Sequence, residues 1–182
     1  MPFANNQGIQ IYYETVGQGN PLILIMGLGG TGDAWKLQVV EFSKKYKVIT
    51  LDNRGAGKSD KPDTPYDMKQ FASDVAAVMD AEKIEKAAVI GLSMGGLIAQ
   101  EFYHSYPQKV DSLVLGCTGV GAGDPAFIYP TFVVSSILNL KKGQFDDYEL
   151  TKSRAGIFYH PDYMAKIPHF IERLMEMSAK NP

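Results

Sequence analysis

The stretch that decides the fold is Ala87-Ala88-Val89-Ile90-Gly91-Leu92-Ser93-Met94-Gly95-Gly96-Leu97-Ile98-Ala99. Its first four residues form a short apolar run that ends at glycine, the pattern of a strand buried on both faces. Residues 94–106 read as a helix that stops before Pro107. Between strand and helix lies Gly91-Leu92-Ser93-Met94-Gly95, a G-x-S-x-G pentapeptide. With this chain's glycine and serine content the pentapeptide arises by chance about 0.1 times, so its specificity comes from the strand before it and the helix after it. A sharp strand-to-helix turn pushes a serine hydroxyl clear of the backbone. The flanking positions must be small, because a Cβ there would collide across the turn. The first N–H groups of the helix and its positive dipole end are then available to an oxyanion. Ser93 is therefore the candidate nucleophile, and the Met94 N–H a candidate oxyanion donor. The competing local reading is a helix N-cap serine with glycines for turn geometry.

Outward from this point the chain alternates. Residues 9–14 read as a half-buried strand, and residues 22–26, 48–51 and 113–115 as buried strands. Trp35, Val39 and Phe42 have helical spacing, and residues 67–81 read as a helix. Strands alternating with helices predict right-handed crossovers and a mostly parallel sheet flanked by helices, an α/β fold. The texture changes near Gly119-Val120-Gly121-Ala122-Gly123-Asp124-Pro125. Beyond it the patterns are helical. Residues 127–140 are strongly apolar, and Ile167, Ile171, Leu174 and Met175 form a stripe, with Pro168 and His169 at its start. The expected division is an α/β part, residues 1–123, and a helical part, residues 124–182.

Composition bounds the function. The chain has 182 residues, 45% hydrophobic and 21% charged, with a net charge of −2. These values describe a globular protein rather than a disordered one. No basic excess points to nucleic acid, and no apolar run is long enough for a membrane span. The single cysteine, Cys117, excludes an internal disulfide framework and a cysteine-based zinc site, and it reads as a small buried residue. The first six residues carry no basic and apolar leader, so the expectation is an unprocessed, cytoplasmic protein.

Taken in order, the motifs resemble the α/β-hydrolase family, in particular its lid-bearing esterase, lactonase and haloperoxidase-like branch. Leu22-Ile23-Leu24-Ile25-Met26-Gly27-Leu28-Gly29-Gly30 resembles the family's strand and oxyanion loop, with Met26 where the family usually has histidine. Asp52-Asn53-Arg54-Gly55-Ala56-Gly57-Lys58-Ser59 resembles its D-x-R-G-x-G-x-S turn, and Tyr106-Pro107-Gln108-Lys109-Val110 with Leu113-Val114-Leu115 its helix-to-strand connection. The resemblance covers residues 9–119, and the helical part is similar to the start of the family's lid. It implies acyl transfer to Ser93 followed by hydrolysis with water, on a small carboxylic ester or lactone. It also implies a second oxyanion donor at the Leu28 N–H, and no metal or organic cofactor. The family also hosts perhydrolysis and C–C bond hydrolysis.

The family's triad runs serine, acid, histidine, and its acid and histidine follow strands not read in this chain. His104 stands about 16 Å along the helix that Ser93 opens, out of reach of it. His160 and His169 read as surface or boundary residues, and Asp124, Asp146, Asp147 and Asp162 as solvated or capping ones. The expectation is a chain cut within the lid, with an incomplete site when alone. Its open edge at residues 113–115 would favour a homo-oligomer or association with a missing C-terminal part. Two other classes stay open. A non-catalytic binding or assembly module would keep the half-fold with Ser93 idle. A Rossmann oxidoreductase would use Gly27-x-Gly29-x-x-Gly32 with Asp52 on the ribose. A P-loop ending at Gly57-Lys58-Ser59 is excluded, because Asp52 stands where its first glycine belongs.

Overall fold

Alternate residues of β3 (Asn20–Ile25) face opposite sides of one sheet, and both sides are apolar. Leu22 and Leu24 pack with Val48 and Trp35 on one face, while Ile23 and Ile25 join Ile49, Leu51 and Val89 on the other. A strand apolar on both faces needs a layer over each. On the first face the cover is a 3-10 turn, Gly32–Trp35, and α1 (Lys36–Phe42), through Trp35, Val39 and Phe42. On the second it is α2 (Met68–Ala81) and α3 (Met94–Ser105), through Phe71, Val75, Met79, Ile98 and Phe102. The computed structural model describes residues 2–120, 148–149, 151–152, 155 and 161–179.

The sheet has six strands in the order β1-β2-β4-β3-β5-β6. β4 is Tyr46–Leu51, β5 Ala87–Leu92 and β6 Val110–Gly116. β3, β4, β5 and β6 run parallel. β2 (Ile9–Val16) and β1 (Phe3–Asn6) add antiparallel to the far edge. The sequence reading missed β1, whose Phe-Ala-Asn-Asn carries too little apolar signal; it is recruited by a tight turn with Gln7 at φ 54 and Gly8 at φ 91. The helix read over residues 67–81 starts one residue later, because Asp67 is its N-cap. Asp67 accepts from the Gln70 N–H at 2.7 Å, and the Gln70 side chain accepts from the Asp67 N–H at 2.9 Å.

The polypeptide divides into two compact units, Met1–Ala122 and Gly123–Pro182. In the second, α4 spans Pro161–Ala165 and α5 spans Phe170–Ala179, with Ile171 buried. His169 does not open α5 in helical conformation; it has φ 54 and precedes the first helical residue. Residues 127–140, Asp124, Asp146, Asp147 and His160 lie outside the described residues.

Two expectations are corrected. β6 is not buried. It pairs with β5 alone among the described residues, and Val114 and Leu115, on opposite faces, are 53% and 43% exposed. Cys117 is not a buried filler either. It lies just past β6 in a left-handed turn, φ 49, and its thiol is exposed.

Candidate functional site

The topology places the candidate site. From β3 the chain crosses to β4 on one side, then returns past β3 to β5 on the other. The carboxyl ends of β3 and β5 are therefore neighbours whose following segments diverge to opposite faces, and such a switch point leaves a crevice. Ile25 pairs with Gly91 in register, so the loop after β3 and the turn after β5 meet there.

Ser93 sits at that turn with φ 54 and ψ −123, a conformation that costs a non-glycine residue about 1–3 kcal/mol. Surrounding backbone holds it in place. Its N–H donates to Gly116 O at 2.9 Å, and its carbonyl accepts from the Gly96 N–H at 2.9 Å. Three glycines make the turn possible. A Cβ on Gly91 would lie 2.2 Å from Gly95 O, and one on Gly95 would lie 2.3 Å from Ile25 O. A Cβ on Gly27 would lie 2.9 Å from Ser93 Cβ and 3.4 Å from its Oγ. Gly27, in the loop after β3, thus packs directly on the serine side chain. The N-cap reading of Ser93 fails, because its hydroxyl makes no capping bond to α3 and the residue is exposed.

The loop after β3 is held from below by the turn after β4. The Asn53 amide donates to Met26 O at 2.9 Å, fixing the peptide that precedes Gly27. Within the loop the Gly30 N–H returns to Gly27 O at 3.1 Å. Asp52 Oδ1 accepts from the Gly32 N–H and Oδ2 from the Lys58 N–H, both at 2.8 Å. Both carboxylate oxygens are thus spent on this chain's own backbone in a buried position, which removes Asp52 from the role of a ribose-binding acid. Arg54 forms a buried bidentate pair with Asp74, Nε to Oδ2 and an NH2 nitrogen to Oδ1, each 2.7 Å. The Asp74 hydrogen bond raises the Arg54 pKa further and outweighs burial, which lowers it.

Leu28 is 72% exposed at the rim of this loop, and Met94 opens α3 half-buried against the core. No backbone acceptor among the described residues takes up the N–H of either. Ser93, Gly27 and the start of α3 therefore meet at one place, with Leu28 next along the loop. His104 belongs to the last turn of α3, far from Ser93 along the helix axis. Two contributors escaped the sequence reading. Thr118 donates through Oγ1 to Ser93 O at 2.7 Å, and Gly96 leaves room for it. The signal for both was the second glycine of Gly95-Gly96, an unfavourable residue inside a helix unless something approaches closely. Among the described residues no group of three His, Cys, Asp or Glu side chains could hold a metal ion, and no helix is long and apolar enough to cross a membrane.

Comparison with known proteins identifies the family and the fold. The family model described as alpha/beta hydrolase fold matches residues 20–149. The 3-oxoadipate enol-lactonase 2 of Acinetobacter baylyi is 34% identical over 120 residues, which is 65% of this chain and 45% of that protein. The crystal structure of the enol-lactonase from Burkholderia xenovorans LB400 superposes with a TM-score of 0.79 at 27% identity, over 96% of this chain and 66% of that one. An esterase from Exiguobacterium antarcticum gives 0.74 at 28% identity, over 90% and 64%. The chain thus spans less than half the length of the curated lactonase and about two thirds of these solved structures. With the family model covering well over half of the sequence, the chain belongs to the alpha/beta hydrolase fold family.

Proposed function

We propose that the protein is a serine hydrolase acting on small carboxylic esters or lactones through an acyl-Ser93 intermediate. The observation that carries this reading is the Ser93 turn. A serine held at φ 54 spends conformational energy, yet its hydroxyl caps nothing and faces outward beside the bare Cα of Gly27. The names of the similar lactonases and esterase support the substrate class.

In the proposed reaction Ser93 Oγ attacks the substrate carbonyl carbon and gives up its proton to a general base. The negative charge moves to the carbonyl oxygen, where the N–H groups of Met94 and Leu28 stabilise it. Collapse breaks the bond to the leaving oxygen, which takes up the proton, and water then releases the acid and restores Ser93. Without a base within reach serine stays a weak nucleophile. The one imidazole of the Met1–Ala122 unit, His104, is on the wrong turn of α3. The base and its orienting acid are therefore assigned to a second copy of the chain. The exposed edge of β6 is the surface offered for such an association.

The test is hydrolysis of a p-nitrophenyl butyrate ester by the purified chain and by Ser93→Ala. The expected result is p-nitrophenol release, with butyryl mass on the Ser93 peptide, both lost in the variant. Release unchanged by Ser93→Ala would overturn the assignment. A folded protein without release or acylation would favour the non-catalytic module.

A further inference from the structure

The peptide unit joining Ser93 to Met94 has two ends in one rigid plane. One end is the Met94 N–H, the oxyanion donor of the proposed reaction. The other is the Ser93 carbonyl. That oxygen accepts from the Gly96 N–H at 2.9 Å and, more weakly, from the Leu97 N–H at 3.4 Å, the first bonds of α3. It also accepts from Thr118 Oγ1 at 2.7 Å, the shortest of the three and the one not contributed by the helix.

Four features bring Thr118 to that position. The register Leu92↔Gly116 sets the end of β6 beside the serine turn, where Gly116 O takes the Ser93 N–H. Cys117, at φ 49, and Ser93, at φ 54, are both at positive φ, and each directly follows one partner of the Leu92↔Gly116 pair. Gly96 leaves the space: a Cβ there would lie 2.5 Å from Thr118 Cβ and Cγ2 and 2.6 Å from Oγ1. Beyond it, the Gln100 amide donates to Gly119 O at 2.8 Å and ties the loop to the helix. A helix favours alanine over glycine. The glycine at 96 forgoes that gain, and what occupies the space is the side chain that reaches Ser93 O.

We propose that Thr118 is a positioning residue for the oxyanion donor. Its hydroxyl fixes the tilt of the 93–94 peptide plane and so the aim of the Met94 N–H. By donating to the carbonyl of the same peptide it also polarises that N–H, since linked hydrogen bonds strengthen one another. Thr118 touches no substrate and exchanges no proton in this role. The inference rests on the assignment of Ser93 as nucleophile and Met94 as donor.

The test compares Thr118→Val, which keeps the shape and removes the hydroxyl, with Thr118→Ser, which keeps the hydroxyl. Two readouts are taken on the whole chain: the Met94 amide resonance by nuclear magnetic resonance, and the rate at which a fluorophosphonate modifies Ser93. Thr118→Val should shift the Met94 amide and slow phosphonylation about tenfold, the weight of one hydrogen bond. Thr118→Ser should restore both. Gly96→Ala, which displaces Thr118 from the other side, should shift the same amide and serves as the second variant if Thr118→Val does not fold. An unmoved Met94 amide in a folded Thr118→Val would overturn the proposal, as would a moved amide with an unchanged rate. If Ser93 of the parent chain is not modified at all, the hydrolase reading fails. The amide readout still decides whether Thr118 sets the peptide, so the two failures are separable.

Discussion

Replacing Asp74 by asparagine tests whether the turn beneath the loop after β3 is held by a buried ion pair. The side chains of Arg54 and Asp74 are 7% and 2% exposed and share two hydrogen bonds of 2.7 Å. The Asn6 amide donates a third, also 2.7 Å, to Asp74 Oδ1. Asparagine keeps the shape but offers one acceptor oxygen to three donors, and its own NH2 faces an N–H of Arg54. The guanidinium is then left buried without a counter-charge. Breaking one side of a buried pair costs about 3–5 kcal/mol, a large share of the ~5–15 kcal/mol that holds a domain folded. For a chain of this size that lowers the unfolding midpoint by about 10–15 °C, at about 3 °C per kcal/mol. The internal control is Lys86–Asp111, a 3.5 Å pair with side chains 54% and 66% exposed, where Asp111→Asn should cost less than about 1 kcal/mol. Urea unfolding of parent and both variants measures the contrast. A loss below about 1 kcal/mol for Asp74→Asn would refute the argument, because it would put the buried pair on the scale of a surface one.

Further outcomes follow from the same geometry. Gly95→Ala should destabilise by about 1–3 kcal/mol despite the better helix propensity of alanine, because its Cβ would sit 2.3 Å from Ile25 O and 2.8 Å from Met26 O, both backbone atoms; a neutral or stabilising effect in urea unfolding would contradict it. Gly27→Ala, whose Cβ meets Ser93 Cβ at 2.9 Å, should slow modification of Ser93 by at least about tenfold, the scale expected when an oxyanion loop is displaced; an unaltered rate would show that the loop does not pack on the nucleophile. Burial, followed by a 2.8 Å bond to Glu82, pushes the Tyr13 hydroxyl up from 10.0 to about 12. A pKa raised in the folded state contributes stability that is present below 10.0 and lost as pH rises from there through about 12. The parent should therefore lose stability relative to Tyr13→Phe on alkaline titration, and parallel curves would disprove the assignment. At the other end of the pH scale Glu82, held low mainly by Lys47 at 2.6 Å, contributes stability above its ordinary value of 4.5, lost as pH falls through the lowered pKa.

Much of the architecture was legible because it rests on local periodicity. The apolar runs around Ile23, Ile49 and Val89 had to be strands with two buried faces, and the stripe through Phe71, Val75 and Met79 had to be a covered helix. The Ser93 turn was legible for the same reason: glycines at 91 and 95 have meaning only if strand and helix close on each other there, as they do. What stayed hidden depends on distant partners. β1 exists because β2 pairs with it, not because Phe3-Ala4-Asn5-Asn6 is strand-like. The exposure of Val114 and Leu115 comes from the edge position of β6 among the described strands, a fact of strand order rather than of residue type. Asp52 could be read as a ribose acid until the Gly32 and Lys58 N–H groups were seen to occupy it, because they are separated from it by 20 and 6 residues. The Thr118 bond to Ser93 spans 25 residues and leaves its trace in the sequence as an extra glycine at the start of a helix.

The central claim is that Ser93 is an activated nucleophile. It is tested most directly by intact-mass measurement of the 182-residue chain after reaction with a fluorophosphonate, beside Ser93→Ala. One phosphonyl adduct is expected, located on the Ser93 peptide and absent from the variant. A folded chain that carries no adduct, or one that is labelled equally in Ser93→Ala, would contradict it.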